Sequence, residues 1–285
     1  MNLAAGLQAE RFVNQPRAVQ RIFENPRPSI GLVMGTFAAV PYVHLHLESR
    51  KRHYPSVLAL VHDDGSPFAN RLRALCERYY VDYYSPPQRI GHQSGDLASV
   101  VKGLEWARAK GLDITVKMSR TFIPTTNPFR QLQEIAWETQ YATFSNVCRG
   151  WGVGFRSECV GLHTQTWHRT GMVERMREAV ARGRQHFDFV EVFLHRLARE
   201  IQRSNCKANQ VYEEIHPREP ETDAYGVWPW MGEDGTKKQP GLLWHRADQP
   251  FDYYQLALAY GITEYRVEDF HDPNQNCGTG PTKEW

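Results

Sequence analysis

The sequence lacks the features that mark a disulfide-rich, zinc-binding or membrane-spanning protein. Its five cysteines include no close pair: Cys76, Cys148, Cys159, Cys206 and Cys277. This spacing excludes a zinc knuckle and a CxxC redox site, and it is typical of free thiols in a reducing compartment. No apolar stretch reaches the length of a membrane helix, and the first 27 residues contain no apolar core of the signal-peptide type. We therefore expect a cytoplasmic protein without a transmembrane segment.

The chain also lacks a marked excess of charge. Its 34 basic and 32 acidic residues are interspersed and give a formal net charge of +2, so no basic cluster is present to bind a nucleic acid. We therefore expect no nucleic-acid partner. With 285 residues, of which 41% are apolar and 23% charged, the composition is that of a globular protein with a sizeable core. It does not indicate an oligomeric state.

One stretch of the chain joins an apolar run to a pair of acids. Residues Val57 to Val61 form a continuous, partly β-branched run that predicts a buried strand. The run ends at His62 and the tetrapeptide Asp63 to Ser66. Ligands of open α/β sheets bind beyond the carboxyl ends of the strands, so these acids would stand where a ligand binds. The same residues also suit an ordinary turn, and on this stretch alone both interpretations stay open.

Strand and helix patterns alternate on both sides of this stretch. The spacing of apolar residues predicts strands at Ser29–Thr36, Val57–Val61, Val81–Tyr84 and Asp113–Met118, with helices at Val40–Arg52, Phe68–Tyr79 and Leu97–Lys110. Such a succession predicts an α/β fold with a mostly parallel central sheet and right-handed crossovers. Further on we expect helices at Asn127–Glu138, Gly171–Arg184, Phe189–Arg203 and Phe251–Tyr260, and a strand within Val153–Leu162.

This order of elements resembles the nucleotide-sugar half of GT-A glycosyltransferases, in particular the large family 2 group. The resemblance extends from Ser29 to Arg120 and depends on the strand-end tetrapeptide Asp63, Asp64, Gly65 and Ser66. It implies a Rossmann-like sheet in which the tetrapeptide contacts the nucleobase and ribose of a nucleotide sugar. We place Thr36, at the end of the first predicted strand, in the same nucleotide-binding group.

A second match to the family is the segment that begins at Gly91 and reads Gly-His-Gln-Ser-Gly-Asp. It occupies the position of the family loop that reaches the nucleotide before its helix. The resemblance therefore implies nucleotide contacts for Gly95 and Asp96.

The sequence departs from the family where an Asp-x-Asp motif should hold a divalent cation against the diphosphate. The residues at that place are Lys117, Met118, Ser119 and Arg120, and no carboxylate lies between Asp113 and Glu134. Two positive side chains can neutralise a diphosphate directly, so we expect Lys117, Ser119 and Arg120 at the nucleotide and transfer without a metal. The structural alternative is that the side chains of Lys117 and Arg120 are simply solvated at a strand end.

We predict no resident metal ion. A helix over Val40–Arg52 places His44 and His46 on different faces, and the tail cluster of Glu268, Asp269, His271 and Asp272 is explained by a solvated tail as well as by a metal. A divalent cation is the less favoured alternative, and the nucleotide sugar is a substrate rather than a cofactor.

Inverting glycosyl transfer needs a carboxylate that accepts the proton of the acceptor hydroxyl. The resemblance implies such a base near the start of a helix after the sheet, where Val190–Arg196 is a degenerate match that retains Glu191. Asp188 and Glu158 are the alternatives. A solvated glutamate on a helix surface is the structural interpretation of Glu191.

The chain divides into an N-terminal helical extension over residues 1–28, with a helix at Ala9–Glu24, a GT-A-like domain over 29–205, and an irregular segment over 206–285. The last segment predicts a lid or an acceptor region. Its tryptophans Trp228, Trp230 and Trp244 would either stack on a sugar ring or anchor the segment to the core.

Together these features predict a cytoplasmic glycosyltransferase of polysaccharide biosynthesis, which moves a sugar from a nucleotide-sugar donor to a glycan or another hydroxyl acceptor. Two alternatives stay open. The first is a catalytically degenerate protein of the same fold that binds a nucleotide or a carbohydrate, and the second is a sugar-phosphate nucleotidyltransferase.

Overall fold

The computed structural model describes residues 27–139, 141–148, 154–183, 187, 189–207, 226–228, 240–244 and 249–270. The predicted helix at Ala9–Glu24 lies outside these residues, as do Asp188, Trp230 and the tail from His271 onward.

Among the described residues, seven strands form the central sheet, in the order β3-β2-β1-β4-β7-β6-β8. Strands β3, β2, β1 and β4 run parallel to one another, β7 runs antiparallel to both β4 and β6, and β8 runs parallel to β6. The predicted α/β class with a mostly parallel sheet is confirmed. The strands are β1 (Ile30–Thr36), β2 (Leu58–Asp63), β3 (Asp82–Tyr84), β4 (Ile114–Ser119), β6 (Thr143–Cys148), β7 (Gly154–His163) and β8 (Gly226–Val227).

Helices cover both faces of the sheet, because the central strands β1 and β4 are apolar on both sides. One apolar cluster joins the sheet to α1 (Val40–His53), α2 (Ala69–Arg78) and α4 (Phe129–Glu138). A second cluster joins β7 to the helices of the other face, α3 (His92–Ala109), α5 (Thr164–Arg169), α6 (Met172–Arg182) and α7 (Val190–Lys207). In the described part of the chain, no helix has the length and apolar character needed to cross a membrane.

A smaller unit packs on the outer side of α1. Strand β5 (Phe122–Pro124) pairs with β9 (Leu242–Trp244), and a third apolar cluster joins this pair to α8 (Pro250–Ala259) and the short 3-10 helix Val267–Phe270. Two pieces of the segment predicted to be irregular are therefore strands, one in each sheet.

The structure differs from the sequence-based expectation at several elements. Helix α3 begins at His92, five residues before the predicted start at Leu97, so Gly95 and Asp96 lie in its first two turns and not in a loop. Strand β6 and helix α5 were not predicted. Strand β7 agrees with the strand expected within Val153–Leu162, but its antiparallel insertion beside β4 makes the sheet mixed.

Two of the buried histidines, His46 and His62, make the fold sensitive to acid. Burial is the main cause that lowers the pKa of His46 in α1 and of His62 in β2 to about 4, from an ordinary value of 6.5. Between pH 6.5 and 4 the folded chain therefore binds fewer protons at these residues than the unfolded chain does. The free energy of unfolding should therefore decrease as the pH is lowered from 6.5 to 4, by about 3 kcal/mol for each histidine.

Urea unfolding of wild type and His46→Leu at pH 7 and pH 4 tests this expectation. The variant should lose about 3 kcal/mol less on acidification, because leucine takes up no proton. The comparison cancels the contributions of other groups, including the aspartates. The exposed His92 serves as a control, since His92→Gln should lose as much stability as wild type. Equal losses for wild type and His46→Leu would contradict the prediction.

Candidate active site

The carboxyl ends of the four parallel strands meet along one edge of the sheet, called here the carboxyl edge. Thr36 ends β1, Asp63 ends β2, Tyr84 ends β3 and Ser119 ends β4. Thr36 is the register partner of Asp63, and Gly35 is the partner of both His62 and Ser119. The fold thus brings together the residues that the sequence placed at the ends of separate strands.

The Asp63 carboxylate is fully buried and only partly bonded. Its Oδ2 accepts hydrogen bonds from the Tyr83 hydroxyl at 2.9 Å and from the backbone N–H of Ser66 at 3.3 Å. Within the described part of the chain, Asp63 Oδ1 and the hydroxyl of Thr36 have no hydrogen-bond partner. Burial raises the pKa of Asp63. An unsatisfied buried acceptor costs about 1–3 kcal/mol, so a ligand that donates a hydrogen bond here would remove this cost.

Asp64 holds a loop over the carboxyl edge. Its Oδ1 accepts from the backbone N–H of Ile90 at 2.9 Å, and its Oδ2 accepts from that of Gly91 at 3.0 Å. Burial raises the pKa of Asp64 against the opposing effect of these two donors. Each oxygen already has a partner in the protein, so this structure assigns Asp64 a role in shaping the loop. A direct contact with a nucleoside stays a prediction.

Gly65 and Ser66 complete the turn after β2. Gly65 has φ +68°, and a side chain there would meet the backbone nitrogen of Arg89 at 2.8 Å, so only glycine suits both the conformation and the close approach. The buried Ser66 hydroxyl accepts from the backbone N–H of Phe68 at the entry to α2. Both residues support the local turn, which was the alternative interpretation of the tetrapeptide Asp63 to Ser66.

Lys117 is paired with an acid inside the protein. Its side chain is fully buried, and its Nζ forms an ion pair with Asp96 Oδ1 at 2.5 Å. The same ammonium donates to the backbone oxygen of Ser157 at 2.8 Å and to the hydroxyl of Ser119 at 3.4 Å. Asp96 lies in a helix and not in the predicted loop. The contacts of Lys117 with a diphosphate and of Asp96 with a nucleotide stay predictions. Arg120 follows β4 at the same edge and is half-buried.

Glu191 lies in the first turn of α7 and is held by β7. Its Oε1 accepts a hydrogen bond of 2.7 Å from the hydroxyl of Ser157, which is buried in β7. The side-chain oxygen of Gln93 in α3 accepts from the backbone N–H of Val190 at 3.1 Å. The start of α7 is therefore tied both to the sheet and to the start of α3. Glu158 is half-buried, and as the strand neighbour of Ser157 it projects to the opposite face of the sheet.

Two of the tryptophans predicted for sugar binding lie in or next to strands of different sheets. Trp228 is fully buried and packs against Phe129, with ring centroids 6.4 Å apart. This packing favours the anchoring interpretation of Trp228. Trp244 lies in β9 opposite Phe122.

Two carboxylates at the carboxyl edge already have partners within the protein. Asp64 uses both oxygens for the loop, and Asp96 is paired with the positive charge of Lys117. Among the described residues, no group of three or more His, Cys, Asp or Glu side chains is arranged to bind a metal. The two ring nitrogens of His44 lie within 3.2 Å of the hydroxyls of Tyr265 and Tyr79.

Three residues of this site escaped the sequence-based search: Gln93, Tyr83 and Ser157. Tyr83 and Ser157 belong to no motif, and Gln93 lies in the segment that begins at Gly91 but was not predicted as a site residue. Each acts on a residue at least 20 positions away in the chain. The only sequence signal for Ser157 is its place in the predicted strand beside Glu158.

Comparison with known proteins gives structural matches alone. No family model matches the sequence, and no curated protein matches it. A mannosyltransferase from Pyrobaculum calidifontis, solved with GDP-Man and Mn2+, is 14% identical over 54% of this chain and 52% of its own, with a TM-score of 0.39. The glycosyltransferase GlyE of Streptococcus pneumoniae TIGR4 is 12% identical over 85% of this chain and 62% of its own, with a TM-score of 0.47.

A third match is TarS 1-349 of S. aureus, solved with UDP-GlcNAc. It is 9% identical over 50% of this chain and 47% of its own, with a TM-score of 0.40. This chain thus spans about half the length of TarS 1-349 and of the mannosyltransferase, and less than two thirds of GlyE. At these levels of similarity the functional conclusion depends on the geometry of the site.

Proposed function

We propose that this protein is a glycosyltransferase that uses a nucleotide-sugar donor and needs no divalent cation. The observation that carries the proposal is the position of the first two turns of α3. Gly95 packs against the carboxylate of Asp64, and Gln93 bonds to the start of α7, next to Glu191. Helix α3 thereby connects the acid pair Asp63 and Asp64, which suits a nucleoside, to Glu191, whose carboxylate suits a general base.

Asp63 is the proposed nucleoside contact. Its unpartnered Oδ1 can accept a hydrogen bond from a base N–H or a ribose hydroxyl, and the neighbouring Thr36 hydroxyl can donate or accept another. Arg120, at the same edge, is the proposed contact of the diphosphate, because a guanidinium binds phosphate oxygens in a bidentate manner.

Glu191 is the proposed general base. Its carboxylate takes the proton of the acceptor hydroxyl while that oxygen bonds to the anomeric carbon of the donor. The bond between the anomeric carbon and the diphosphate breaks, and the nucleoside diphosphate leaves with the electron pair. Ser157 occupies one carboxylate oxygen of Glu191, which leaves the other to accept the proton.

Thermal unfolding with a panel of nucleoside diphosphates and nucleotide sugars, with and without EDTA, tests donor binding. We expect one nucleotide class to raise the midpoint in both conditions, because a ligand that binds only the folded state stabilises it. Asp63→Asn should lose this shift. Asp82→Asn is the matched control, since Asp82 lies at the amino end of β3, and it should keep the shift.

The outcomes of this test separate the alternatives. If no nucleotide stabilises the protein, the proposal is wrong. If EDTA abolishes the shift, only the metal-free part is wrong. Binding without release of nucleoside diphosphate would support a degenerate binding protein, whereas pyrophosphate released from a nucleoside triphosphate would identify nucleotidyl transfer.

Gly95→Ala is expected to weaken nucleotide binding. The added methyl group would overlap the Asp64 carboxylate and move it away from the amides of Ile90 and Gly91. Hydrogen bonds to a charged group contribute about 1.5–3 kcal/mol each. If nucleotide binding must restore the loop conformation that one such bond held, the affinity falls by about 10-fold or more. Isothermal titration with the stabilising nucleotide measures this change.

Gly103→Ala is the control for this variant. It lies in the same helix, and its methyl group would meet Val33 at 2.5 Å in the core. We expect it to lower stability without changing nucleotide affinity. An unchanged affinity in Gly95→Ala would show that the contact between Asp64 and the loop does not shape the site.

A further inference from the structure

Four polar residues form a continuous chain of contacts from α3 to the start of α7, called here the polar chain. Asp96 pairs with Lys117 at 2.5 Å, Lys117 donates to the backbone oxygen of Ser157 at 2.8 Å, and the Ser157 hydroxyl donates to Glu191 at 2.7 Å. The two central members are almost completely removed from water, with exposures of 0% for Lys117 and 4% for Ser157.

Stability alone does not account for a lysine in the middle of β4. Burying an ion pair costs about as much desolvation energy as the pairing returns, and an apolar side chain at the same place is often as stable or more so. The register partners of Lys117 are Val33 in β1 and Val160 in β7, both buried and apolar. The lysine instead fixes the orientation of Ser157, because its ammonium donates a hydrogen bond to the backbone oxygen of that residue.

The orientation of Ser157 determines how its hydroxyl bonds to Glu191. A glutamate in the first turn of a helix has several rotamers, and a free carboxylate would sample them. The hydrogen bond from Ser157 selects one rotamer and occupies Oε1. The bond from Val190 N–H to Gln93 fixes the helix start itself, so both the backbone and the side chain of the proposed base are held.

We propose that Ser157 is a positioning residue that orients the Glu191 carboxylate for proton abstraction, and that Lys117 keeps Ser157 in place through its backbone oxygen. This inference depends on the proposed function. It assigns Lys117 and Asp96 a supporting role for the base, in place of the nucleotide contacts predicted for them from the sequence.

Steady-state kinetics of Ser157→Ala test this role once a donor is known. Loss of the hydroxyl should lower kcat by about 10- to 100-fold, since small misplacements of a catalytic group have effects of this size. The KM for the donor and the nucleotide affinity should not change, because the hydroxyl removed by this variant bonds, among the described residues, to the Glu191 carboxylate alone. Ser157→Thr, which retains the hydroxyl on a side chain suited to a strand, should restore kcat to within about 3-fold of wild type.

Thr115→Val is the matched control. It removes a buried hydroxyl that lies 3.0 Å from that of Thr164, near the amino end of β4 and away from the carboxyl edge. We expect this variant to keep the wild-type kcat. Ser157→Cys provides a second test if Ser157→Ala fails to fold, since a thiol fills the same space but donates weakly, and its kcat should also fall.

A wild-type kcat in Ser157→Ala, or a raised donor KM with an unchanged kcat, would overturn this inference. It would also be overturned if Thr did not rescue. If any of these results is obtained while wild type is active and Glu191→Gln is not, the positioning role of Ser157 is wrong but the proposed function stands. If wild type itself has no turnover on any donor that binds, the proposed function fails, and the positioning role fails with it.

Discussion

Replacing Glu191 by glutamine is expected to lower kcat for sugar transfer by a factor of about 10² to 10⁴, the usual contribution of a general base. The amide cannot take the acceptor proton, whereas its oxygen can still accept the hydrogen bond from Ser157. Donor affinity should therefore stay at the wild-type value. Transfer kinetics and titration with the donor measure the two quantities separately.

Glu200→Gln is the control in the same helix. Glu200 is partly exposed and pairs with Arg175 on the surface, and such pairs contribute at most about 1 kcal/mol. This variant should keep the wild-type kcat. A kcat for Glu191→Gln within 10-fold of wild type would place the base elsewhere, and Glu158 and Asp188 would then be the candidates to test.

Replacing Asp96 by asparagine is expected to destabilise the folded protein by about 3 kcal/mol. Asparagine has nearly the same shape as aspartate, so the loss arises from charge and not from packing. The ammonium of Lys117 is fully buried and would keep only neutral partners, namely the backbone oxygen of Ser157 and the hydroxyl of Ser119. Urea unfolding at pH 7 measures the change.

Replacing Lys117 by methionine should destabilise the protein less than Asp96→Asn does, because the two members of the ion pair differ in their access to water. In Lys117→Met the remaining Asp96 side chain is 26% exposed and can be hydrated. The double variant Lys117→Met/Asp96→Asn removes both charges and should regain part of the stability lost in Asp96→Asn. If Asp96→Asn were as stable as wild type, the ion pair would not hold Lys117 in the folded state.

The start of α3 shows where local sequence patterns were insufficient. The glycines Gly91 and Gly95 and the polar residues between them favour a loop by propensity, which led to a predicted start at Leu97. In the structure the helix begins at His92, and contacts from distant residues support it. Asp64 binds the amide of Gly91, and Gln93 bonds to Val190, 97 positions away.

Strand β6 shows a similar limit for the sheet. Thr143–Cys148 is short, and it mixes polar residues with a single aromatic one, so its pattern does not separate it from a loop. It becomes a strand because it pairs with both β7 and β8. The position of β7 between β4 and β6 depends on the same pairing, which no local pattern encodes.

By itself, the sequence determined that a buried apolar strand leads into the acids at Asp63 and Asp64 and that the sheet is mostly parallel, because both follow from local apolar runs and the turn residues after them. Only the tertiary structure decided what the polar side chains bind. Asp63 has an oxygen without a partner among the described residues, Asp64 holds a loop, and Lys117 is paired inside the protein. The physical reason is that a hydrogen bond or an ion pair depends on atoms that meet in space, and here the partners lie 20 to 97 residues apart.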